Sequence, residues 1–222
     1  MIFSNTFLLK RIFALTVFAT AAFGFSAAVC PAQEEKKEPA TYTAEDRMKI
    51  VKYYVNVEKR YVKTIGDLTP QQLAFRPHEK SWTVGQVAEH LLITESALRG
   101  MIDDGVLKTP LNKDPGVFRF ADGAITLAVT NRAQKFQAPP VVQPKAKVTT
   151  AEGLVNGFKE ARAKNVEYLK TTEVDLRNHF AQSPLFGTID AYQWFLFLNG
   201  HTERHLAQID EIMSHKDYPA EK

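Results

Sequence analysis

The chain has 222 residues, 45% of them hydrophobic and 24% charged, with 11 Gly and 11 Pro, the composition of an ordinary folded protein of about one domain. Lys and Arg number 28 against 25 Asp and Glu for a net charge of +3, and setting aside Lys10 and Arg11 leaves 26 against 25, which supplies no electrostatic footprint for nucleic acid or an anionic membrane surface. The single cysteine, Cys30, excludes an intramolecular disulfide, a CxxC redox pair and a multi-cysteine zinc site.

Lys10 and Arg11 precede an uncharged run from Ile12 to Phe25 and then the small residues Ser26, Ala27 and Ala28. This is the order of a secretory signal peptide, with cleavage fitting after Ala32 or Ala28. Residues 1–32 are therefore expected to be removed, 33–42 to form a polar linker and the folded domain to be exported, periplasmic or secreted. Two alternatives tie it to a membrane: lipid on Cys30, or retention of the apolar stretch Ile12 to Gln33, which is long enough to span a bilayer.

Thr43 with Asp46 reads as a capping box, and Met48, Val51, Tyr54, Val55, Val62, Ile65 and Leu68 recur at helical spacing, predicting a first long helix over 43–67. Ser81 or Thr83 caps a second to about Ile102, with Val84, Val87, His90, Leu91, Thr94, Leu98 and Met101 on one stripe. Residues 105–149 are rich in proline and read as a long crossover with a short helix around 124–136. Thr149 with Glu152 predicts another capping box and a third long helix to Thr171, with Leu154, Phe158, Ala161, Val166 and Leu169 inward. A break at 178–187 precedes the fourth, from Asp190 to Met213. No strand pattern longer than Val141–Val142 is visible. The expected fold is all-α, a four-helix bundle with a long crossover connection, over residues 43–214, followed by a tail at 215–222.

At about 100° per residue, His201 and His205 stand about 40° apart on the face that carries Trp194 and Leu198, and His90 lies on the inward stripe of another helix. A buried neutral imidazole leaves one donor and one acceptor to satisfy, at about 1–3 kcal/mol for each unmet group. Two readings follow: each ring is hydrogen-bonded separately in the core, or one metal ion is their common partner. Glu-x-x-His, as a di-iron carboxylate bundle uses, is absent, because Phe75, Val87, Leu176, Leu198, Thr202 and Ile212 precede the six histidines by three residues. His-Glu-x-x-His fails as well, since Thr202 follows His201. His78, His179 and His215 read as loop or surface residues.

The segments Ser81-Trp82-Thr83-Val84-Gly85-Gln86-Val87-Ala88-Glu89-His90-Leu91 and Asp190-Ala191-Tyr192-Gln193-Trp194, the latter leading to His201-Thr202-Glu203-Arg204-His205-Leu206-Ala207-Gln208-Ile209, resemble the DinB-like superfamily of small metal-binding four-helix bundles, distinct from the DNA polymerase of that name. The resemblance covers residues 43–213. It implies one metal-ligating histidine on the second helix and an i, i+4 pair on the last, roles that fall on His90, His201 and His205. The implied cofactor is one divalent transition metal ion, zinc or nickel, since imidazole suits both.

The resemblance also carries activities: bacillithiol-dependent S-transferases, a mycothiol-dependent maleylpyruvate isomerase and metal-dependent hydrolases. Export stands against a thiol cofactor, because an oxidising compartment does not maintain one. The expected function is an exported metal-dependent hydrolase or thiol S-transferase acting on a small molecule at open coordination positions, and the rival is a non-enzymatic bundle whose three-histidine site is structural. A third reading is a metal-free interaction protein whose Phe-rich last helix packs in a homodimer, and a dimer that also holds metal does not decide among the three. Among neighbours, Glu89 reads as a solvated residue or a hydrogen-bond acceptor for a ligand ring, Gln208 as an orienter of water or a buried amide, Glu203 as a surface ion-pair residue, and Arg204 as a surface cover or a residue at the site's mouth. Trp82 and Trp194 read as core, with pocket lining the alternative for either, and Phe118, Phe120 and Phe136 as a seal over the bundle in preference to the lining of a pocket.

Overall fold

The computed structural model describes residues 40–114 and 116–220; the expected signal peptide and most of the linker lie outside them. Among these residues six α-helices follow in chain order: α1 (Ala44–Ile65), α2 (Pro70–Ala74), α3 (Val84–Asp104), α4 (Asp122–Thr130), α5 (Ala151–Thr171) and α6 (Ala191–Met213). Single 3-10 turns occupy Val106–Lys108 and Pro140–Val142, and an antiparallel hairpin pairs β1 (Phe180–Ser183) with β2 (Gly187–Asp190). Among the described residues no helix is long and apolar enough to cross a membrane.

The helix starts follow from side chains that satisfy the otherwise orphaned N–H groups of a first turn. Thr43 with Asp46, Thr69 with Gln72, Thr83 with Gln86 and Asp190 with Gln193 all form reciprocal capping boxes. The box expected at Thr149 and Glu152 is not formed. Thr150 is the cap and accepts from the N–H of Gly153, and a glycine has no side chain with which to reciprocate.

α1 packs on α5 and α6, and so does α3. The four long helices thus form a bundle in which α1 and α3 stand across the core from each other, as do α5 and α6. α4 lies against the outside of α6. The apolar core has two parts, one built on Ile50, Tyr54, Ile102, Leu169 and Phe195 and the other on Tyr61, Val87, Leu91, Phe158, Leu206 and Ile209. Between them on α3, α5 and α6 sits a buried polar layer of Glu95, Arg162, Asn165, Asn199 and Thr202.

Several facing assignments differ from the sequence expectation. α1 buries the expected Tyr54 and Ile65 together with Ile50, Val57 and Tyr61, whereas Met48 is 70% exposed; the tyrosine hydroxyls reach backbone carbonyls, Tyr54 to Phe195 and Tyr61 to Ala88. α6 is buried all round from Ala191 to Gly200, because α4 and the hairpin cover the side that the bundle leaves open, and a helix buried all round has no single stripe to read. The hairpin was not expected. Its four-residue strands are too short to display alternation, and their register (Phe180 opposite Asp190, Ser183 opposite Gly187) closes at Gly187, whose φ of 67° is left-handed.

Candidate metal centre

His90 stands two turns into α3, downstream of the Thr83–Gln86 box that starts the helix, and His201 and His205 stand one turn apart on α6. Because α3 packs against α6, the three rings meet at that seam. Centroids are 5.1 Å (His90–His201), 4.8 Å (His90–His205) and 4.5 Å (His201–His205) apart. One ligating nitrogen from each lies within 4.8 Å of the others. His90 is buried, while His201 and His205 are half-buried, which leaves the set open on one side. The rings therefore sit at the α3–α6 seam, beside the central core rather than inside it.

Hydrogen bonds decide which nitrogen each ring presents. His90 Nδ1 lies 2.6 Å from the carbonyl oxygen of Val142; a carbonyl only accepts, so Nδ1 carries the proton and the lone pair is on Nε2. His205 Nδ1 donates in the same way to Gln208 Oε1 at 2.7 Å. The Nε2 atoms of His90 and His201 are 3.4 Å apart, and two nitrogens each about 2.1 Å from one ion in tetrahedral arrangement are separated by roughly that amount. His201 Nδ1 is buried with no hydrogen-bond partner. Burial pushes all three pKa values down: His201 well below its ordinary value with the neighbouring imidazoles adding to the effect, His205 to about 3 against the opposing bond to Gln208, and His90 against the opposing bond to Val142. All three rings are neutral at pH 7, the form that binds a metal. The residues fit a single transition ion, with carbonyl and amide partners fixing two of the ligands from behind.

Surrounding residues sort by what they touch. Trp82 lines the site, its ring 5.1 Å from that of His90, whereas Trp194 is core. Glu89 is 2% exposed and is neither solvated nor bonded to a ligand ring. Its carboxylate accepts the backbone N–H groups of Lys145, Ala146, Lys147 and Val148. Gln208 orients His205. Glu203 accepts a 2.5 Å hydrogen bond from the Tyr53 hydroxyl instead of pairing with a cation. Arg204 donates to the carbonyls of Asn131 and Gln134, tying down the segment after α4. Phe118 and Phe136 are 70% and 58% exposed, so neither seals the bundle; Phe120 packs on Phe186 at 5.9 Å. His179 bonds the Thr109 carbonyl through Nδ1, and His215 packs against Phe75 and His78 beyond the C-terminal end of α6. None of these three joins the cluster.

The partner that sequence reasoning missed is Val142. A backbone carbonyl has no residue signature, and only the path of the crossover brings it to His90.

A sequence model of the DinB superfamily matches residues 53–209. The chain belongs to the DinB superfamily. This DinB-superfamily chain is 24% identical over 151 residues to the uncharacterized protein YuaE of Bacillus subtilis, covering 65% of this chain and 85% of that one. Among solved structures it is similar to YfiT from Bacillus subtilis, described as a probable metal-dependent hydrolase with an unusual four-helix bundle topology, at a TM-score of 0.52 and 16% identity over 80% of this chain and 91% of that one. The second likeness establishes the shared four-helix fold.

Proposed function

We propose that this DinB-superfamily protein is an exported metal-dependent hydrolase that holds one zinc or nickel ion through Nε2 of His90, His201 and His205. The observation that carries the reading is the convergence of three neutral imidazoles, two of them locked by Nδ1–H bonds so that their lone pairs meet at one point. When bound, such an ion supplies Lewis acidity at the positions the protein leaves open. The chain's own part is to hold the three nitrogens, to keep them unprotonated by burial and to leave one side accessible to a small-molecule substrate. A hydrolytic reaction is favoured over S-transfer because it needs no reduced thiol in an oxidising compartment, and the structural neighbour described as a hydrolase adds to that side.

The test is elemental analysis of the mature domain, purified without a histidine tag or added metal, beside a His201→Ala/His205→Ala variant. The expected result is about one transition ion per wild-type chain and none in the variant; the ion found then enters a screen of ester, amide and phosphoester substrates. Wild type that resists reconstitution with metal overturns the reading. A metal-loaded protein whose His90→Ala variant melts lower, with no hydrolysis to lose, favours a structural site instead.

A further inference from the structure

Consecutive residues of α3 hold the same piece of backbone by two opposite kinds of contact. His90 donates to the carbonyl of Val142 at the end of the Pro140–Val142 turn. Glu89 receives N–H groups a few residues further along the chain: Oε2 from Lys145 at 2.9 Å and Ala146 at 2.7 Å, Oε1 from Lys147 at 2.7 Å and Val148 at 3.2 Å. Four successive amides folded around one carboxylate form an anion nest. Its curvature puts Ala146 at φ 53°, a left-handed conformation unusual for a residue with a Cβ, and the bonds to the carboxylate offset the cost of that path. The carboxylate is buried at 2% exposure, and a neutral or shorter side chain would leave several buried donors unmet.

We infer that Glu89 is a positioning residue for the metal centre, acting through the 140–148 strap: its carboxylate fixes the strap, the strap fixes the Val142 carbonyl, and that carbonyl holds the proton of His90 on Nδ1 so that Nε2 faces the other two ligands. The inference rests on the metal reading above. Outer partners of ligand histidines commonly govern metal affinity tenfold to a hundredfold. Glu89 is the ligand's own neighbour in sequence, yet it serves the site only by way of a segment more than fifty residues along the chain. Coupling of this kind is reciprocal: a metal that needs the strap in place must also hold the strap in place.

The experiment compares wild type, Glu89→Gln and the core variant Val166→Ala, which lowers stability at a distance from the site. Zinc affinity is measured by competition with a chromophoric chelator, the ligand field by the visible spectrum of the cobalt-loaded protein, and the strap by hydrogen exchange of the 145–148 amides and by tryptic cleavage after Lys145 and Lys147. The expected result is a tenfold to hundredfold loss of zinc affinity and an altered cobalt spectrum in Glu89→Gln, with faster exchange and cleavage in the strap, while Val166→Ala keeps wild-type affinity and spectrum. In wild type, zinc slows exchange at 145–148, a measurement that decides the matter even if Glu89→Gln does not fold. Unchanged affinity in a Glu89→Gln protein with a released strap, or strap exchange in wild type indifferent to zinc, overturns the inference and leaves the metal reading standing; wild type that binds no zinc or cobalt overturns both.

Discussion

At the level of single residues the metal centre is decided by proton placement. The ring of His205 has a pKa of about 3, and His90 and His201 are also lowered, with burial the first cause in each case. An unfolded histidine titrates near 6.5, so below that pH the unfolded chain binds protons that the folded chain refuses. The histidine contribution to the stability of the metal-free protein is full above about pH 6.5 and is lost as the pH falls towards 3. Thermal melts of the chelator-treated protein are expected to show that decline, and the decline should shrink in His201→Ala/His205→Ala. Since the folded rings are already neutral at pH 7, zinc titrations in buffers of different ionisation enthalpy should report the release of no more than about one proton, the one that Lewis acidity at the open positions can free; a larger release would mean that the imidazoles themselves lose protons on binding. Gln208→Leu removes the acceptor behind His205 and is expected to weaken zinc about tenfold or more at nearly unchanged melting temperature, read by the same chelator competition.

A second residue-scale feature lies in the polar layer. Arg162 and Glu95 are both fully buried, with Nη2 2.9 Å from Oε2; Nε is 2.9 Å from Oε1 but is not aimed at it. Asn165 donates to the same carboxylate, Arg162 also reaches Asn199 and the Thr202 hydroxyl, and its guanidinium lies 4.5 Å from the centre of the Tyr54 ring. Burial pushes the Glu95 pKa up and the arginine opposes it. Truncating one member leaves a charge without its partner, so Glu95→Ala is expected to cost about 3–5 kcal/mol in denaturant unfolding. The double replacement Glu95→Leu/Arg162→Met should recover most of that, because it removes both desolvated charges at once.

At the level of elements, helix starts place the chemistry. The Thr83–Gln86 box fixes the first turn of α3 seven residues before His90, with bonds of 3.1 and 2.9 Å. Thr83→Ala should lower stability by about 1 kcal/mol in urea melts, with zinc affinity of the folded protein retained. α6 is set by a wider assembly. Asp190 ends β2 and caps the helix. Arg177 bonds Asp46 and Asp122 at 2.7–3.2 Å, close to Asp190, while its guanidinium lies over the Tyr192 ring at 3.8 Å. One arginine from the loop before the hairpin thereby joins the first turns of α1, α4 and α6, where carboxylates also suit the positive end of the helix dipole.

At the level of the whole molecule, two pairs of helices facing across a core make four seams, and at one of them, α3 against α6, three imidazoles meet and the crossover passes behind them. An ion that binds only the folded state stabilises it by mass action, about 2.7 kcal/mol when free metal is a hundred times the dissociation constant. Differential scanning calorimetry should therefore show a melting temperature that rises with zinc concentration in wild type and does not respond in His201→Ala/His205→Ala.

Read alone, the sequence determined the helical class, the four long helices, all four of their starts within a residue or two, and which three histidines come together. These are properties of local spacing and capping chemistry, together with motifs that resemble a known superfamily. Tertiary structure alone decided that Glu89 is buried against 145–148, that Arg162 belongs to the core, that α6 is covered on every side and that a carbonyl at 142 orients His90. Each depends on which distant part of the chain comes to lie beside a side chain. Periodicity marks a charged residue as outward because water is its usual partner, and only the folded chain reveals a partner that replaces water.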